Sequence, residues 1–115
     1  MKKAFNKLVR DKIPEIILKN GCTPEIEILD NQEYLHHLDE KLMEECNEVI
    51  CAKSAKDKAE ELADVLEVMY AIANSFKIPF EEIEKVRLDK KEKRGGFDSK
   101  IFLKSTTIVK NLEWS

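Results

Sequence analysis

The sequence predicts a mainly α protein, an antiparallel helical bundle, on three observations. Apolar residues recur at helical spacing through three long segments, glycine and proline fall between those segments, and the two longest are joined by only a few residues. At 115 residues one domain, 1–115, around one core is expected.

Asp11 to Asn20 reads as a short helix: Pro14 is tolerated in its first turn, Ile13, Ile16 and Ile17 share a face, and Gly21 supplies the stop. Thr23 to Leu29 alternates apolar and charged residues through Ile26, Glu27 and Ile28, which suits a short strand or an extended loop. From Gln32 to Lys53 a long helix is expected, with Leu35, Leu38, Leu42, Cys46, Val49 and Ile50 on its apolar side. Ser54-Ala55-Lys56-Asp57 has the form of a capping box. It opens a second long helix running to Phe76, whose stripe is Leu62, Val65, Leu66, Val68, Met69, Ile72, Ala73 and Phe76. So short a connection forces the two to pack as an antiparallel hairpin. Pro79 precedes a third long element, Phe80 to Lys93, carrying Ile83, Val86 and Leu88 and ended by Gly95-Gly96. The β-branched tail, Ile101 to Val109, completes a small two-stranded β element with residues near 24–29.

Charged residues make up 37% of the chain, yet the net charge is only −3, so bulk charge offers no case for a nucleic-acid polymer as partner. Three cysteines without CxxC or Cys/His spacing suggest neither a zinc site nor a disulfide framework and fit a reducing compartment. The N-terminal residues lack the apolar run of a signal peptide, and no stretch approaches a membrane span. A soluble, cytoplasmic protein is expected, with oligomerisation to cover its apolar helix faces.

The chemistry lies in the acids of the hairpin. On a helical wheel Glu48 falls about 40° and Glu45 about 100° from Glu44, one sector beside the apolar stripe. Glu61 and Asp64 stand one turn apart on the next helix. Glu48 precedes Ser54 by six residues and Glu61 follows it by seven; Glu44 and Glu45 precede it by ten and nine, and Asp64 follows by ten. In an antiparallel pair these levels match, so the five acids converge. Such a cluster requires a counter-charge, and an all-oxygen set suits Mg²⁺, Mn²⁺ or Ca²⁺ rather than zinc. Mg²⁺ held by few carboxylates leads to a phosphate substrate. The alternative is a solvated helix margin whose acids pair with lysines such as Lys41 or Lys58. Glu33-x-x-His36 occurs once, too few for a di-iron bundle, and His36 and His37 read as surface residues, His37 on the carboxylate side.

Two basic groups accompany the acids. Lys90, Lys91, Lys93 and Arg94 precede Gly95-Gly96-Phe97; opposite a metal cluster they form a second clamp on a polyphosphate, and otherwise they offset the helix dipole. Lys7, Arg10 and Lys12 are candidates for substrate binding or a solvated entry to the first helix.

Glu44-Glu45-Cys46-Asn47-Glu48 followed by Glu61-Leu62-Ala63-Asp64 resembles the E-E-x-x-E … E-x-x-D signature of the MazG-like all-α nucleoside triphosphate pyrophosphohydrolases. Lys7-Leu8-Val9-Arg10-Asp11-Lys12-Ile13-Pro14-Glu15-Ile16-Ile17 and Lys93-Arg94-Gly95-Gly96-Phe97 look like the phosphoribosyl-ATP pyrophosphohydrolase-like branch. The resemblance implies a homodimer or homotetramer and Mg²⁺-dependent cleavage between the α and β phosphates, giving a nucleoside monophosphate and pyrophosphate. Glu44, Glu45, Glu48, Glu61 and Asp64 would bind metal, Glu45 or Glu48 would activate water, and Lys90, Lys93 and Arg94 would hold pyrophosphate. The expected substrate is a free nucleoside triphosphate, standard or non-standard. Phosphoribosyl-ATP of histidine biosynthesis is the nearest rival, and a non-catalytic nucleotide- or protein-binding helical module is the rival of another class.

Overall fold

In the structure, a computed structural model that describes residues 1–107, four helices follow in chain order: α1 (Ile13–Lys19), α2 (Asn31–Cys51), α3 (Ala55–Ser75) and α4 (Phe80–Arg94). The protein is a mainly α helical bundle. At its centre α2 and α3, each 21 residues long, lie antiparallel across the short connection Ala52–Ser54.

Local chemistry sets the helix ends. The Asp30 carboxylate accepts the Glu33 amide at 2.8 Å, which starts α2 slightly earlier than its apolar pattern suggests. Ser54 Oγ accepts the Asp57 amide at 3.0 Å, the cap that its sequence announces. The Lys58 ammonium donates to the Val49 and Ile50 carbonyls, so a cation from α3 meets the negative end of α2 and ties the hairpin's turn. Gly21 ends α1 with φ 87°, while the Ile78 amide closes α3 by donating to the Ala73 carbonyl at 2.9 Å across Lys77, whose φ is 57°.

The expected β element is absent from the described residues. Residues 23–29 and 101–107 form no ladder, and Ile26 and Ile28 are exposed. One short alternating segment without a partner strand leaves its backbone groups to water, and even a two-stranded ribbon is marginal alone. Residues 108 and 109 of that expectation lie outside the described residues.

The hairpin also buries a different line of residues from the one hydropathy suggests. Leu38, Val68 and Ala73 are its buried apolar side chains, and the buried line on α2 runs from Leu38 to Glu45, flanked by half-buried Lys41, Leu42 and Val49. Cys46 and Ile50 are exposed, as are Leu62, Leu66 and Met69 on α3. Met43, Cys46 and Ile50 on α2 and Leu62, Leu66 and Met69 on α3 therefore form an uncovered apolar strip beside the helix–helix interface. A stacked Tyr70–Phe80 ring pair, with centroids 3.9 Å apart, joins the start of α4 to α3. Beyond this, α4 contributes no buried residue. The Cα radius of gyration is 19.3 Å, against about 13 Å for a closed globule of this length. No helix among the described residues is long and apolar enough to cross a membrane.

Candidate metal centre

Rotation of α2 toward α3 turns an acid into the interface. Glu45 is buried, 8% exposed, where a carboxylate requires a partner. Lys41, one turn earlier on the same helix, supplies it: its Nζ lies 3.3 Å from Glu45 Oε1 and 3.5 Å from Glu44 Oε2. Across the interface Glu61 and Asp64 are half-buried. Glu45, Glu61 and Asp64 each offer a carboxylate oxygen, all three within 4.8 Å of one another.

The remaining two acids of the sequence cluster sit at its edge. Glu44 is held by Lys7, 3.2 Å away, as well as by Lys41. Partial burial acts to raise its pKa, but the Lys7 hydrogen bond and the fields of Lys41 and Lys7 outweigh it, and the carboxyl stays below its ordinary value. Glu48 is exposed and, among the described residues, forms no ion pair, yet it is close enough to act on Glu61. Loss of solvent at the helix face, reinforced by Asp64, Glu48, Glu45 and Glu60, raises the Glu61 pKa above its ordinary value. Glu61 is thus the acid of the cluster on which the neighbouring carboxylates act most, with no cation paired to it among the described residues.

Arg10 donates to Asp64 Oδ1 at 2.7 Å, so the N-terminal segment reaches both helices, through Lys7 to α2 and through Arg10 to α3. A cavity of about 140 Å³ opens beside this crossing, between Lys7 and Leu8 on one side and His37, Glu40 and Glu44 on the other. His36 and His37 both contact Glu40, at 3.1 and 3.2 Å. Lys90, Lys93 and Arg94 occupy the exposed last turns of α4, and neither Lys90 nor Lys93 forms an ion pair with the five acids. Lys41 is the component that the sequence reading left among ordinary surface lysines. Its spacing of three and four residues from Glu44 and Glu45 was the available signal.

Three convergent carboxylates without imidazole or thiolate among them form a hard, all-oxygen donor set that fits a divalent cation of the Mg²⁺ or Mn²⁺ type. The model of one protein family, described as phosphoribosyl-ATP pyrophosphohydrolase, matches residues 3–91. The chain belongs to that family. It is a family of hydrolases acting on phosphoric anhydrides, within the MazG-like all-α superfamily, and the match takes in the Lys7–Arg10 segment and all five acids but ends before Lys93. A protein of Mycolicibacterium smegmatis (strain ATCC 700084 / mc(2)155), described only as uncharacterized, is 51% identical over 45 residues, 39% of this chain and 46% of that protein. The matched part thus spans about half the length of that relative. No solved structure matches the chain.

Proposed function

We propose that this member of the phosphoribosyl-ATP pyrophosphohydrolase family is a Mg²⁺-dependent nucleotide pyrophosphohydrolase. It cleaves a nucleoside triphosphate between the α and β phosphates to a nucleoside monophosphate and pyrophosphate. The observation that carries this reading is the convergence of Glu45, Glu61 and Asp64 within 4.8 Å. Together with Glu44 and Glu48 these acids hold the metal, which when bound neutralises phosphate oxygens and acidifies water.

The chain's own residues divide the remaining work. Burial and the Lys41 contact fix the Glu45 carboxylate in direction, which suits a ligand that must not move. Glu48 stands beside Glu61 without a cation of its own, which suits the acid that orients the attacking water and accepts its proton. Lys7 and Arg10 bind phosphate oxygens beside the acids. Lys90, Lys93 and Arg94 hold the outgoing pyrophosphate once α4 is brought to an acid cluster by association of chains.

That association is a homodimer or homotetramer, supported by the uncovered strip of Met43, Ile50, Leu62, Leu66 and Met69 and by the open shape of the single chain. Free, exposed Cys22, Cys46 and Cys51 suit the cytoplasm and its nucleotide pool.

The test is incubation with Mg²⁺ and a panel of common and damaged nucleoside triphosphates, measuring pyrophosphate and monophosphate. Equimolar release of both supports the reading. The family description favours phosphoribosyl-ATP as a second substrate, so the panel includes it, and hydrolysis of that compound alone would replace the first assignment. No release from any of them, with biological effect intact in Glu48→Gln or Asp64→Asn, would leave a non-catalytic binding module.

A further inference from the structure

The N-terminal segment is attached in an unusual way. Among the described residues no backbone–backbone hydrogen bond outside the helices involves residues 1–9, and the first such bond is the Ile13 amide to the Arg10 carbonyl at 3.1 Å. Asn6, with φ 47°, turns the chain immediately before Lys7. What fixes the segment on the hairpin is half-buried Leu8 and two side-chain contacts, Lys7 to Glu44 at 3.2 Å and Arg10 to Asp64 at 2.7 Å.

Those contacts are spaced to span the hairpin. Three residues of extended chain cover about 10 Å, close to the separation of two packed helix axes, about 8–10 Å. Glu44 and Asp64 stand at equal distances from Ser54 on opposite arms, so the segment crosses both helices at the level of the acids. Arg10 thereby occupies an oxygen of Asp64, one of the three carboxylates that converge. A guanidinium and a divalent cation would draw on the same lone pairs and repel each other.

We infer that Lys7 to Arg10 is an exchangeable counterion strap: its two cations hold Glu44 and Asp64 in the metal-free protein, leave them when a divalent cation takes those carboxylates, and then close on the substrate's phosphate chain. The strap deepens the proposed function and rests on the acids being a metal site. By linkage, each partner that binds the acids weakens the hold of the other. Released beside the metal, Lys7 and Arg10 are unpaired cations anchored by α1, and the phosphate chain is the anion that replaces the carboxylates they lost.

The experiment uses the full chain and Mn²⁺, whose free-ion paramagnetic resonance signal falls on binding. Arg10→Gln should bind Mn²⁺ about two- to five-fold more tightly than the wild type, the range expected for loss of one exposed ion pair. Lys7→Gln should shift in the same direction. Lys12→Gln, which removes an equal charge from the same segment, controls for general attraction and should shift less. Trypsin cleavage after Lys7 should accelerate when Mn²⁺ is added to the wild type and slow again when inorganic pyrophosphate is added with Mn²⁺. Circular dichroism checks that the variants are folded; Arg10→Lys should bind Mn²⁺ with an affinity near that of the wild type. If the wild type binds no Mn²⁺, the metal reading fails and the strap with it. If the wild type binds but Arg10→Gln binds equally or less tightly, or if Mn²⁺ leaves the cleavage rate unchanged, the metal site stands and the strap is wrong.

Discussion

The α2–α3 hairpin is one-third charged and α4 is charged at 11 of its 15 residues, yet it is the hairpin, with the sparser charge, that builds a site. In the hairpin, packing presses Glu45 into the interface and sets Glu61 and Asp64 opposite it, so carboxylates that would avoid one another in water are fixed together. In α4, Glu84 and Arg87 pair on the helix surface, no residue is buried, and the cations of the last turns face solvent. Burial is what converts a charged helix face into a site: it fixes side-chain direction and lowers the screening that would otherwise let the charges ignore each other. A charged helix without a packed face contributes to chemistry only when something else positions it.

The sharpest way to break this contrast is to neutralise one acid inside the hairpin and one cation outside it. Asp64→Asn should lower pyrophosphate release by on the order of 100-fold or more, with the helical circular dichroism signal retained, whereas Lys91→Gln on the solvent face of α4 should change it by less than about two-fold. A smaller but still large difference is expected in stability. Leu38 is 2% exposed, so Leu38→Ala should cost about 2–5 kcal/mol in urea denaturation, while Val86→Ala, at 49% exposure, should stay within about 0.5 kcal/mol. A large loss at Val86 would mean that α4 is packed in the assembled protein. Next comes the cap of α3: Ser54→Ala removes the acceptor for the Asp57 amide and should cost about 1 kcal/mol, with no counterpart in α4, whose N-cap Pro79 makes no side-chain bond.

The smallest effect has the most informative sign. Because the Glu61 pKa is raised in the folded protein, ionised Glu61 opposes folding. Its favourable contribution is full below the unfolded-state value and is lost as pH rises through the folded-state value. Without metal, Glu61→Gln should therefore raise the melting temperature at neutral pH and flatten its pH dependence just above the ordinary glutamate range. With Mg²⁺ present the wild type should gain stability and the variant should gain less.

The helices were readable because periodicity and caps are local: Ser54, Gly21 and Gly95 mark boundaries within a residue or two of those observed. Near Ile26 and Ile28 the extended loop holds rather than the strand, because alternation shows that a segment can pair, and pairing also needs a partner. The stripe on α2 was drawn through Cys46 and Ile50 because hydropathy assigns glutamate to the margin. Lys41 overrides that assignment by neutralising Glu45 as it enters the interface. Residue heights along a hairpin place five acids at one level, but the gathering of Glu45, Glu61 and Asp64 alone, with Glu44 and Glu48 at the edge, depends on how each helix is turned about its axis, which no spacing rule specifies. Lys7 and Arg10 meet acids 37 and 54 residues away, and such pairings leave no local trace.

Crystals grown with Mn²⁺ in place of Mg²⁺ test the role of the acids most directly, through the anomalous signal of the metal. The expected result is an anomalous peak within about 2.0–2.6 Å of carboxylate oxygens from Glu45, Glu61 and Asp64 together. A peak bound elsewhere, or none at this cluster with the metal in excess, would contradict the assignment of these acids as the metal centre.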